Sequence, residues 1–233
     1  MKVLGIETSG NIGGIALSKD NHIIIAGNLG SPAMHDKVLV PAIKTMLHEV
    51  SWTPRDIDLI AVDVGPGSYT GLRVGITCAK TLAYALNKPV IDVPAFDAIA
   101  ENYPMNSTPI CPIMDARRGH VYACIYQLEN AQRKRVSDFL IIQPERLLPL
   151  LPRPVIIFGN GVLLHKEQLL QKDIFADTES MAVPKVEYVA LLGERSYKAG
   201  RRCEIDKLLP LYLRRTEAEE KKEEICRKVY IRL

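Results

Sequence analysis

The segment Asp63–Gly75 constrains the fold of this chain more than any other stretch of its sequence. It begins at the end of an apolar run, continues through a glycine-rich turn, and leads directly into a run with helical periodicity. Gly65 and Gly67 can adopt positive φ angles, and Ser68 or Thr70 can cap the first backbone N–H groups of the helix. The pattern predicts a strand, a tight turn and a helix whose exposed start suits an anion. A tight connection that binds no ligand is the alternative.

Composition excludes several classes of protein. The 233 residues are 47% hydrophobic and 24% charged, which predicts one large or two small globular domains. No apolar stretch approaches the roughly 18 residues of a membrane span, and the first residues already read as a strand, so we expect a soluble protein of the cytoplasm. The five cysteines are scattered without CxxC spacing, which predicts reduced thiols and neither disulfides nor a zinc site.

Charge gives little indication of a nucleic-acid partner. The net charge of +3 comes from 30 basic and 27 acidic residues. Basic residues cluster at Arg133–Arg135 and at Arg201–Arg202. Solvated loops are the favoured interpretation of both clusters, and a weak phosphate contact is the alternative.

Two stretches of the chain show the same succession of elements. The first predicts an antiparallel three-stranded meander followed by helix, strand, helix and strand, and a short helix closes it. The second restarts with the same order after a segment rich in proline and small polar residues at 104–109. We therefore expect an N-terminal domain over residues 1–106 and a C-terminal domain over 107–233, with a C-terminal helix that returns to the first half as an option. The predicted elements are strands 3–7, 14–17, 22–26, 57–64, 89–93, 110–115, 121–127, 139–143 and 155–158, and helices 33–50, 69–86, 95–103, 144–151 and 162–171.

Three segments carry a family resemblance. They are MKVLGIETSGNIGGIAL at the start, GPGSYTGLRVGITCAKTLAYAL at the glycine turn, and LPLYLR near the end. Together they resemble the TsaB (YeaZ) family, and the match is strong from Met1 to about Cys124. The resemblance implies an α/β fold of two actin-like (ASKHA, ribonuclease H-like) β-β-β-α-β-α subdomains with mixed sheets, the second one reduced.

The resemblance also implies a function. TsaB proteins are the bacterial partner subunits of TsaD in the synthesis of threonylcarbamoyladenosine in tRNA. The chain is then expected to be a non-catalytic scaffold that pairs with TsaD, or with itself when TsaD is absent, and that works with the ATPase TsaE. The complex would transfer the threonylcarbamoyl group from its adenylate to N6 of the adenosine beside the anticodon in tRNAs that read ANN codons. Contact with tRNA would be indirect, and ATP or ADP is the expected ligand at the interface with TsaD.

The same resemblance assigns a nucleotide site, vestigial or shared with the partner. In actin-like ATPases the turn after the first strand carries an acidic residue and hydroxyls near the phosphates. Here that turn holds the residues Glu7, Thr8 and Ser9, and the glycine turn adds Gly65, Gly67 and Ser68. Arg117, in a DAR turn that opens the second half, is expected to pair locally or to reach the interface. Read without the resemblance, residues 8–10 are an ordinary hairpin turn.

Two helices present apolar stripes that suit a partner. Gly71, Gly75, Ala79 and Ala83 recur every four residues, so a second helix could approach this line closely. In the preceding helix a stripe of larger side chains has the same expected use, and internal packing is the alternative for both stripes. The remaining predicted interface residues are His35, Leu39, Ile43, Met46 and Arg73.

No catalytic residue and no metal ligand is predicted. The catalytic relative TsaD carries an HxxxH pair in the helix after the fifth strand, and this chain has Ala95 and Ile99 at those two places. Cys78 lacks a paired base and is expected in the core. The competing functions are an independent actin-like ATPase or kinase that uses Glu7, Thr8, Gly67 and Gly159, and, with less support, a peptidase.

The end of the chain is read as a docking segment followed by a charged tail. Tyr212 is expected to be buried and Arg214 to be paired. Beyond them, residues 217–228 place opposite charges four residues apart, which predicts a solvated helix.

Overall fold

A computed structural model describes residues 1–30, 34–180 and 182–214. The predicted helix at 217–228 lies outside the described residues. None of the described helices is long and apolar enough to cross a membrane.

The first half is built on a five-stranded sheet in the order β3-β2-β1-β4-β5. Neighbouring strands of the meander β1-β2-β3 are antiparallel, as predicted, whereas β1 pairs with β4 and β4 with β5 in parallel. The parallel strands require helical crossovers, and the long helices of this half supply them. The strands are β1 (Lys2–Glu7), β2 (Gly14–Lys19), β3 (His22–Asn28), β4 (Leu59–Asp63) and β5 (Val90–Val93).

Helices α1 (His35–Glu49) and α2 (Tyr69–Leu86) cover one face of this sheet. Side chains such as Leu4 and Ile6 of β1 pack against apolar side chains of both helices in the largest core cluster. Helix α3 (Ala95–Asn102) follows β5 and ends the first half.

The second half repeats the strand order of the first. Its main sheet runs β10-β7-β6-β11-β12, and an extra hairpin, β8 and β9, pairs with β6. Its helices are much shorter than those of the first half: α4 (Pro144–Leu147), α5 (Asn160–Leu164) and α6 (Lys166–Leu169). The strands are β6 (Ile110–Asp115), β7 (Val121–Ala123), β8 (Tyr126–Glu129), β9 (Gln132–Arg135), β10 (Leu140–Ile142), β11 (Val155–Phe158) and β12 (Ile174–Asp177).

Three predictions for the second half were wrong in detail. The predicted strand over 121–127 is divided into β7 and β8, because β7 pairs with β10 while β8 turns to pair with β9. The basic cluster Arg133–Arg135 lies in strand β9 rather than in a solvated loop. The predicted helix over 162–171 is broken at His165, whose backbone (φ −123°, ψ 27°) is not helical.

A helix from the C-terminal part of the chain does return to the first half. Helix α7 (Val186–Lys198) covers the other face of the first sheet. Small residues allow this close packing, since a Cβ at Gly193 would lie 2.3 Å from the Cβ of Ala61. The division after residue 106 stays a prediction, although α7 packs with the first sheet.

Candidate functional site

The glycine turn between β4 and α2 is formed by backbone geometry and close approach. Gly65 has a φ of +98°, which confirms one predicted positive φ. Gly67 serves another purpose: a Cβ there would lie 2.6 Å from the Cβ of Ser9, so only glycine fits. Ser68 caps α2, as predicted, because its Oγ accepts a hydrogen bond from the Gly71 N–H at 3.2 Å.

The turn after β1 is locked onto the start of α2. Thr8 Oγ1 donates a hydrogen bond to the Gly71 carbonyl at 2.8 Å, and the Ser68 N–H donates to the Ser9 carbonyl at 2.8 Å. A Cβ at Gly71 would lie 1.9 Å from the Thr8 carbonyl oxygen, and one at Gly75 would lie 2.2 Å from Thr8 Oγ1. The small residues of α2 therefore accommodate this chain's own turn.

Two carboxyl groups are buried behind this turn. Glu7 and Asp63 end the adjacent strands β1 and β4, and both side chains are buried. Glu7 Oε1 accepts hydrogen bonds from the Ser9 N–H at 2.5 Å and the Gly10 N–H at 2.7 Å. Asp63 Oδ1 accepts one from the Gly65 N–H at 2.7 Å. The backbone N–H groups of both turns are thus bound by the chain's own carboxyl oxygens.

Ser9 joins the two carboxyl groups and indicates that they share a proton. Its Oγ lies 2.8 Å from Glu7 Oε1 and 2.6 Å from Asp63 Oδ2. A hydroxyl has one hydrogen to donate, so both contacts are hydrogen bonds only if one carboxyl group is protonated. Burial raises the pKa of both groups, and the neighbouring Glu7 charge raises the pKa of Asp63 further, well above its ordinary value. Asp63 is therefore the group that we assign the proton.

His35 supports the β1–β2 turn through hydrogen bonds to backbone carbonyls. It is fully buried, and its Nε2 lies 3.1 Å from the Ile12 carbonyl and 3.2 Å from the Gly30 carbonyl. Because both neighbours are acceptors, Nε2 carries a hydrogen and donates it. His35 was predicted at a partner interface, and the structure corrects this: it is an internal support of the β1–β2 turn.

The structure brings together six of the seven residues predicted to bind a nucleotide. Glu7, Thr8 and Ser9 meet Gly65, Gly67 and Ser68 at the carboxyl edge of the first sheet.

Arg117, the seventh of these residues, lies on the exposed turn between β6 and β7 in the second half. Beside Glu7 a cavity of about 320 Å³ opens between the β1–β2 turn and the start of α7, and Asn28, Lys185 and Glu187 also line it.

The predicted interface stripes face inward. Among the predicted interface residues, only Arg73 is exposed. The structure therefore corrects the residues of the expected interface, because side chains packed in the chain's own core or against its own turn are closed to a partner; the pairing itself stays a prediction. The buried members are His35, Leu39, Ile43, Met46, Gly71, Gly75, Ala79 and Ala83.

The solvent side of α1 and α2 carries a different set of side chains. Val40 of α1 is 60% exposed and Tyr84 of α2 is 83% exposed. A large apolar side chain that stands outside the buried stripe of an amphipathic helix is the sequence signal that could have identified them. We call this solvent side the α1–α2 face. Its other exposed residues include Asp36, Lys37, Pro41, Lys44, Thr77 and Thr81.

The basic clusters are engaged within the chain. Arg133 donates to the Pro104 carbonyl at 2.7 Å, and Lys134 pairs with Glu129 at 2.8 Å. Arg201 donates to the Asp92 carboxylate at 2.5 Å, and Arg202 donates to the Tyr197 carbonyl at 2.8 Å. These contacts support local structural roles for both clusters.

Neither a metal cluster nor an activated thiol is found in the described part of the chain. No group of three or more His, Cys, Asp or Glu side chains among the described residues could hold a metal ion. Ala95 and Ile99 are fully buried in the protein interior. Burial raises the pKa of the Cys78 thiol to about 11, so the thiol stays protonated at neutral pH.

A C-terminal strap joins the two halves. We use this name for residues 208–214. The Leu211 N–H donates to the Val64 carbonyl at 2.7 Å, and the Tyr212 ring stacks on Tyr69 with 4.8 Å between ring centroids. Arg214 Nη1 donates to the Ala116 carbonyl at 2.6 Å in the second half. The expected burial of Tyr212 was wrong: the residue is 40% exposed, and its ring stacks on Tyr69, which is 39% exposed.

Comparisons with known proteins relate this chain to proteins named for threonylcarbamoyladenosine in tRNA. A family model described as "TsaD: tRNA N6-adenosine threonylcarbamoyltransferase" matches residues 31–222. A Bacillus subtilis (strain 168) protein named tRNA threonylcarbamoyladenosine biosynthesis protein TsaB is 34% identical over 232 residues, which cover 95% of this chain and 97% of that protein. The Escherichia coli (strain K12) protein of the same name is 25% identical over 227 residues, 95% of this chain and 98% of the relative.

Solved structures support the same assignment. YeaZ from Pseudomonas aeruginosa superposes with a TM-score of 0.80 at 26% identity, over 91% of this chain and 99% of that one. A ROK hexokinase from Thermus thermophilus, at 10% identity and a TM-score of 0.52, shows a likeness in fold alone, over 86% of this chain and 100% of that chain. With the two sheets of matching strand order, these comparisons show the expected actin-like fold.

Proposed function

Because this chain belongs to the TsaB (YeaZ) family, we propose that it acts in tRNA threonylcarbamoyladenosine biosynthesis as a non-catalytic scaffold for TsaD. The observation that carries the proposal is the closed network of Glu7, Ser9 and Asp63. Their oxygens bind one another and the N–H groups of their own turns. Groups that an actin-like ATPase would direct at phosphate are used here to hold the β1–β2 turn against α2.

The α1–α2 face supports pairing with a second protein. The two helices span 15 and 18 residues and present Val40 and Tyr84 to solvent. Large apolar side chains exposed among polar ones on long, well-anchored helices suit packing against helices of a partner. We propose TsaD as that partner, a second copy of this chain as its substitute when TsaD is absent, and TsaE as a further member of the assembly.

A nucleotide at the interface with TsaD stays a prediction. The turn after β1 fits a phosphate poorly in this conformation, because the Glu7 carboxyl oxygen already accepts its N–H groups. A phosphate at this turn would have to displace Glu7, and the two negative groups would repel each other.

The experiment is threonylcarbamoyl transfer to tRNA by purified TsaD and TsaE, supplied with threonylcarbamoyl-AMP, with and without this chain. We expect transfer to depend on this chain, and Glu7→Gln to retain the transfer rate per folded molecule. Transfer that is equally fast without the chain would contradict the scaffold role. ATP turnover by the isolated chain that Glu7→Gln abolishes would favour the independent ATPase instead.

A further inference from the structure

The cavity of about 320 Å³ between the β1–β2 turn and the start of α7 has a polar floor. That floor is the row Glu7, Gly14 and Asn28, which pair in register across β1, β2 and β3. Residues paired in register have their side chains on the same face of a sheet. A Cβ at Gly14 would lie 2.9 Å from Val186 Cγ1, so this is the face that α7 covers. The side chains of Glu7 and Asn28 are therefore on the side of the sheet where the cavity lies.

The floor of the cavity carries a negative charge. Glu7 is buried, and the three hydrogen bonds that it accepts from the β1–β2 turn all go to Oε1, so Oε2 takes no part in them. Because Asp63 carries the shared proton, Glu7 is the charged member of the acid pair. A buried charge attracts an opposite charge more strongly than a charge in water does. The floor therefore suits the cationic end of a ligand.

The opposite wall of the cavity is positively polarised by the start of α7. This helix has 13 residues, and no side chain caps its first turn. The first N–H groups of a helix have no partner within the helix and give its start a partial positive charge. Lys185, the N-cap residue, also lines the cavity, and no described residue forms an ion pair with it. This wall therefore suits the anionic end of a ligand.

These two walls together select for a ligand with both charges. A simple anion such as phosphate would be repelled by Glu7 and by Glu187 of the first turn of α7, which also lines the cavity. A simple cation would be repelled by Lys185 and by the helix start. Two exposed apolar residues, Ile12 and Val183, complete the lining. Cavities that bind small molecules commonly measure about 300–1,000 Å³, so this one suits a ligand of few atoms.

We propose that this cavity binds a free α-amino acid with a short side chain. The ammonium group of the ligand lies against the Glu7 carboxylate. Its carboxylate accepts hydrogen bonds from N–H groups at the start of α7 and pairs with Lys185, and its side chain packs between Ile12 and Val183. The inference does not depend on the proposed function, because the isolated chain binds the ligand without TsaD or tRNA. The transfer reaction contains no free amino acid, so Glu7→Gln reports there on the scaffold role alone.

The first test titrates the purified, ¹⁵N-labelled chain with L-alanine and follows the amide signals of Gly13, Gly14 and Val186 by NMR. Two further probes each lack one charge: L-alaninamide has no carboxylate, and N-acetyl-L-alanine has no ammonium group. We expect L-alanine to bind with a Kd of about 1 mM or tighter and each capped probe to bind about tenfold more weakly or worse, because each loses a charge-assisted contact.

Two results with these probes would overturn the proposal. The first is the lack of any saturable shift with L-alanine up to about 10 mM, which would make the cavity a solvent-filled cleft. The second is binding of either capped probe as tight as that of L-alanine, which would assign the cavity to a plain amine or a plain carboxylate.

A matched pair of variants tests the charge on the floor. Glu7→Gln keeps the shape of the side chain and removes its charge, whereas Glu167→Gln removes an exposed charge on α6 in the second half. We expect Glu7→Gln to weaken L-alanine binding about tenfold or more and Glu167→Gln to leave the affinity unchanged. Unchanged affinity in Glu7→Gln would contradict the proposal, and the melting temperature of each variant shows that it is folded.

A second pair tests the location without touching the acid network. Val183→Trp places a large ring at the exposed rim of the cavity, and Val136→Trp places the same ring at an exposed position of the second half. We expect Val183→Trp to abolish L-alanine binding at an unchanged melting temperature, and Val136→Trp to bind L-alanine normally. Full L-alanine binding by Val183→Trp would place the ligand elsewhere and overturn the assignment of this cavity.

Discussion

The two halves of the molecule share a strand order but differ in what lies at the carboxyl edge of the sheet. In the first half, the strand β4 leads through the glycine turn into the 18-residue helix α2. At the equivalent place in the second half, β11 leads through Gly159 into α5, a helix of five residues. The first half buries an acid network there, whereas Asp115, which ends β6 as Glu7 ends β1, is partly exposed.

This difference concerns the helices that cover each sheet. Long helices α1 and α2 both cover the first core and present a solvent face, and the proposed pairing would use that face. Short helices in the second half cover their core and extend little beyond it. The buried acids fix the turn against α2, which fixes the helix that carries Arg73 and Tyr84.

The largest effect should come from glycines near the starts of α2 and α5, the helices that follow β4 and β11. In Gly71→Ala the new Cβ would lie 1.9 Å from the Thr8 carbonyl oxygen, whereas in Gly161→Ala it would lie 2.7 Å from a methyl group of Ile113. We expect Gly71→Ala to lower the free energy of unfolding by about 3 kcal/mol or more and Gly161→Ala by about 1–2 kcal/mol. Urea denaturation measures both, with the exposed Thr77→Ala as control. Equal losses would remove the distinction between the halves.

The second effect is a pH dependence of opposite sign in the two halves. Burial and the Glu7 charge raise the pKa of Asp63, so its stabilising contribution is complete below the unfolded pKa of about 4 and is lost as pH rises through the folded pKa. Burial also acts to raise the pKa of Asp177, but hydrogen bonds from Ser180 and Tyr103 outweigh it and lower the pKa. Its contribution is therefore present above pH 4 and is lost as pH falls.

We therefore expect Asp63→Asn to flatten the decline of stability above pH 4, by at most about 1.4 kcal/mol per pH unit. Asp177→Asn should instead flatten the loss on acidification. Denaturant unfolding from pH 3 to 9 measures both slopes. An unchanged slope in Asp63→Asn would show that the Glu7–Asp63 pair holds no shared proton.

Smaller effects are expected at the hydrogen bonds that join the halves. Tyr126 of β8 donates to Asp97 of α3 at 2.7 Å, and Tyr103 after α3 donates to Asp177 of β12 at 2.8 Å. Tyr126→Phe should cost about 1–2 kcal/mol, because the partly buried Asp97 loses its close donor. Tyr103→Phe should cost about 1 kcal/mol, because Asp177 keeps other donors. A double-mutant cycle with each aspartate measures the coupling energies, and values near zero would contradict this link.

The smallest effect is expected at the surface of the second half. Lys134 and Glu129 form an exposed ion pair at 2.8 Å across the β8–β9 hairpin. Lys134→Ala should change stability by no more than about 0.5 kcal/mol, and less at high salt. Thermal unfolding at two salt concentrations measures this change in stability. A loss larger than about 0.5 kcal/mol would show that Lys134 stabilises the hairpin by more than its exposed ion pair explains.

Sequence patterns predicted the first half well because its signals are local. Short β-rich runs separated by turn residues predicted the meander, and the glycine turn predicted the start of α2 with Ser68 or Thr70 as its cap. The second half was predicted less well because its short strands β9 and β12 and its broken helix depend on pairing with distant strands, although Asn130 was a usable turn signal.

The predicted interface stripes exist as lines of residues, but they face the interior of the chain. Spacing groups Gly71, Gly75, Ala79 and Ala83 on one line, but it cannot state whether a partner or the chain's own turn fills it. Thr8, which is remote from α2 in sequence, packs against Gly71 and Gly75 and so closes this line to a partner. The hydrogen bonding of Glu7 and Asp63 through Ser9 likewise required the three-dimensional structure.

The mass of this chain mixed with TsaD, measured by light scattering, tests the account most directly. The account predicts a complex with the summed mass of the two chains, lost in Val40→Asp/Tyr84→Asp on the α1–α2 face and retained in Leu164→Asp, an equally exposed leucine of the second half. A complex that survives the double variant, or no complex with the unaltered chain, would contradict it.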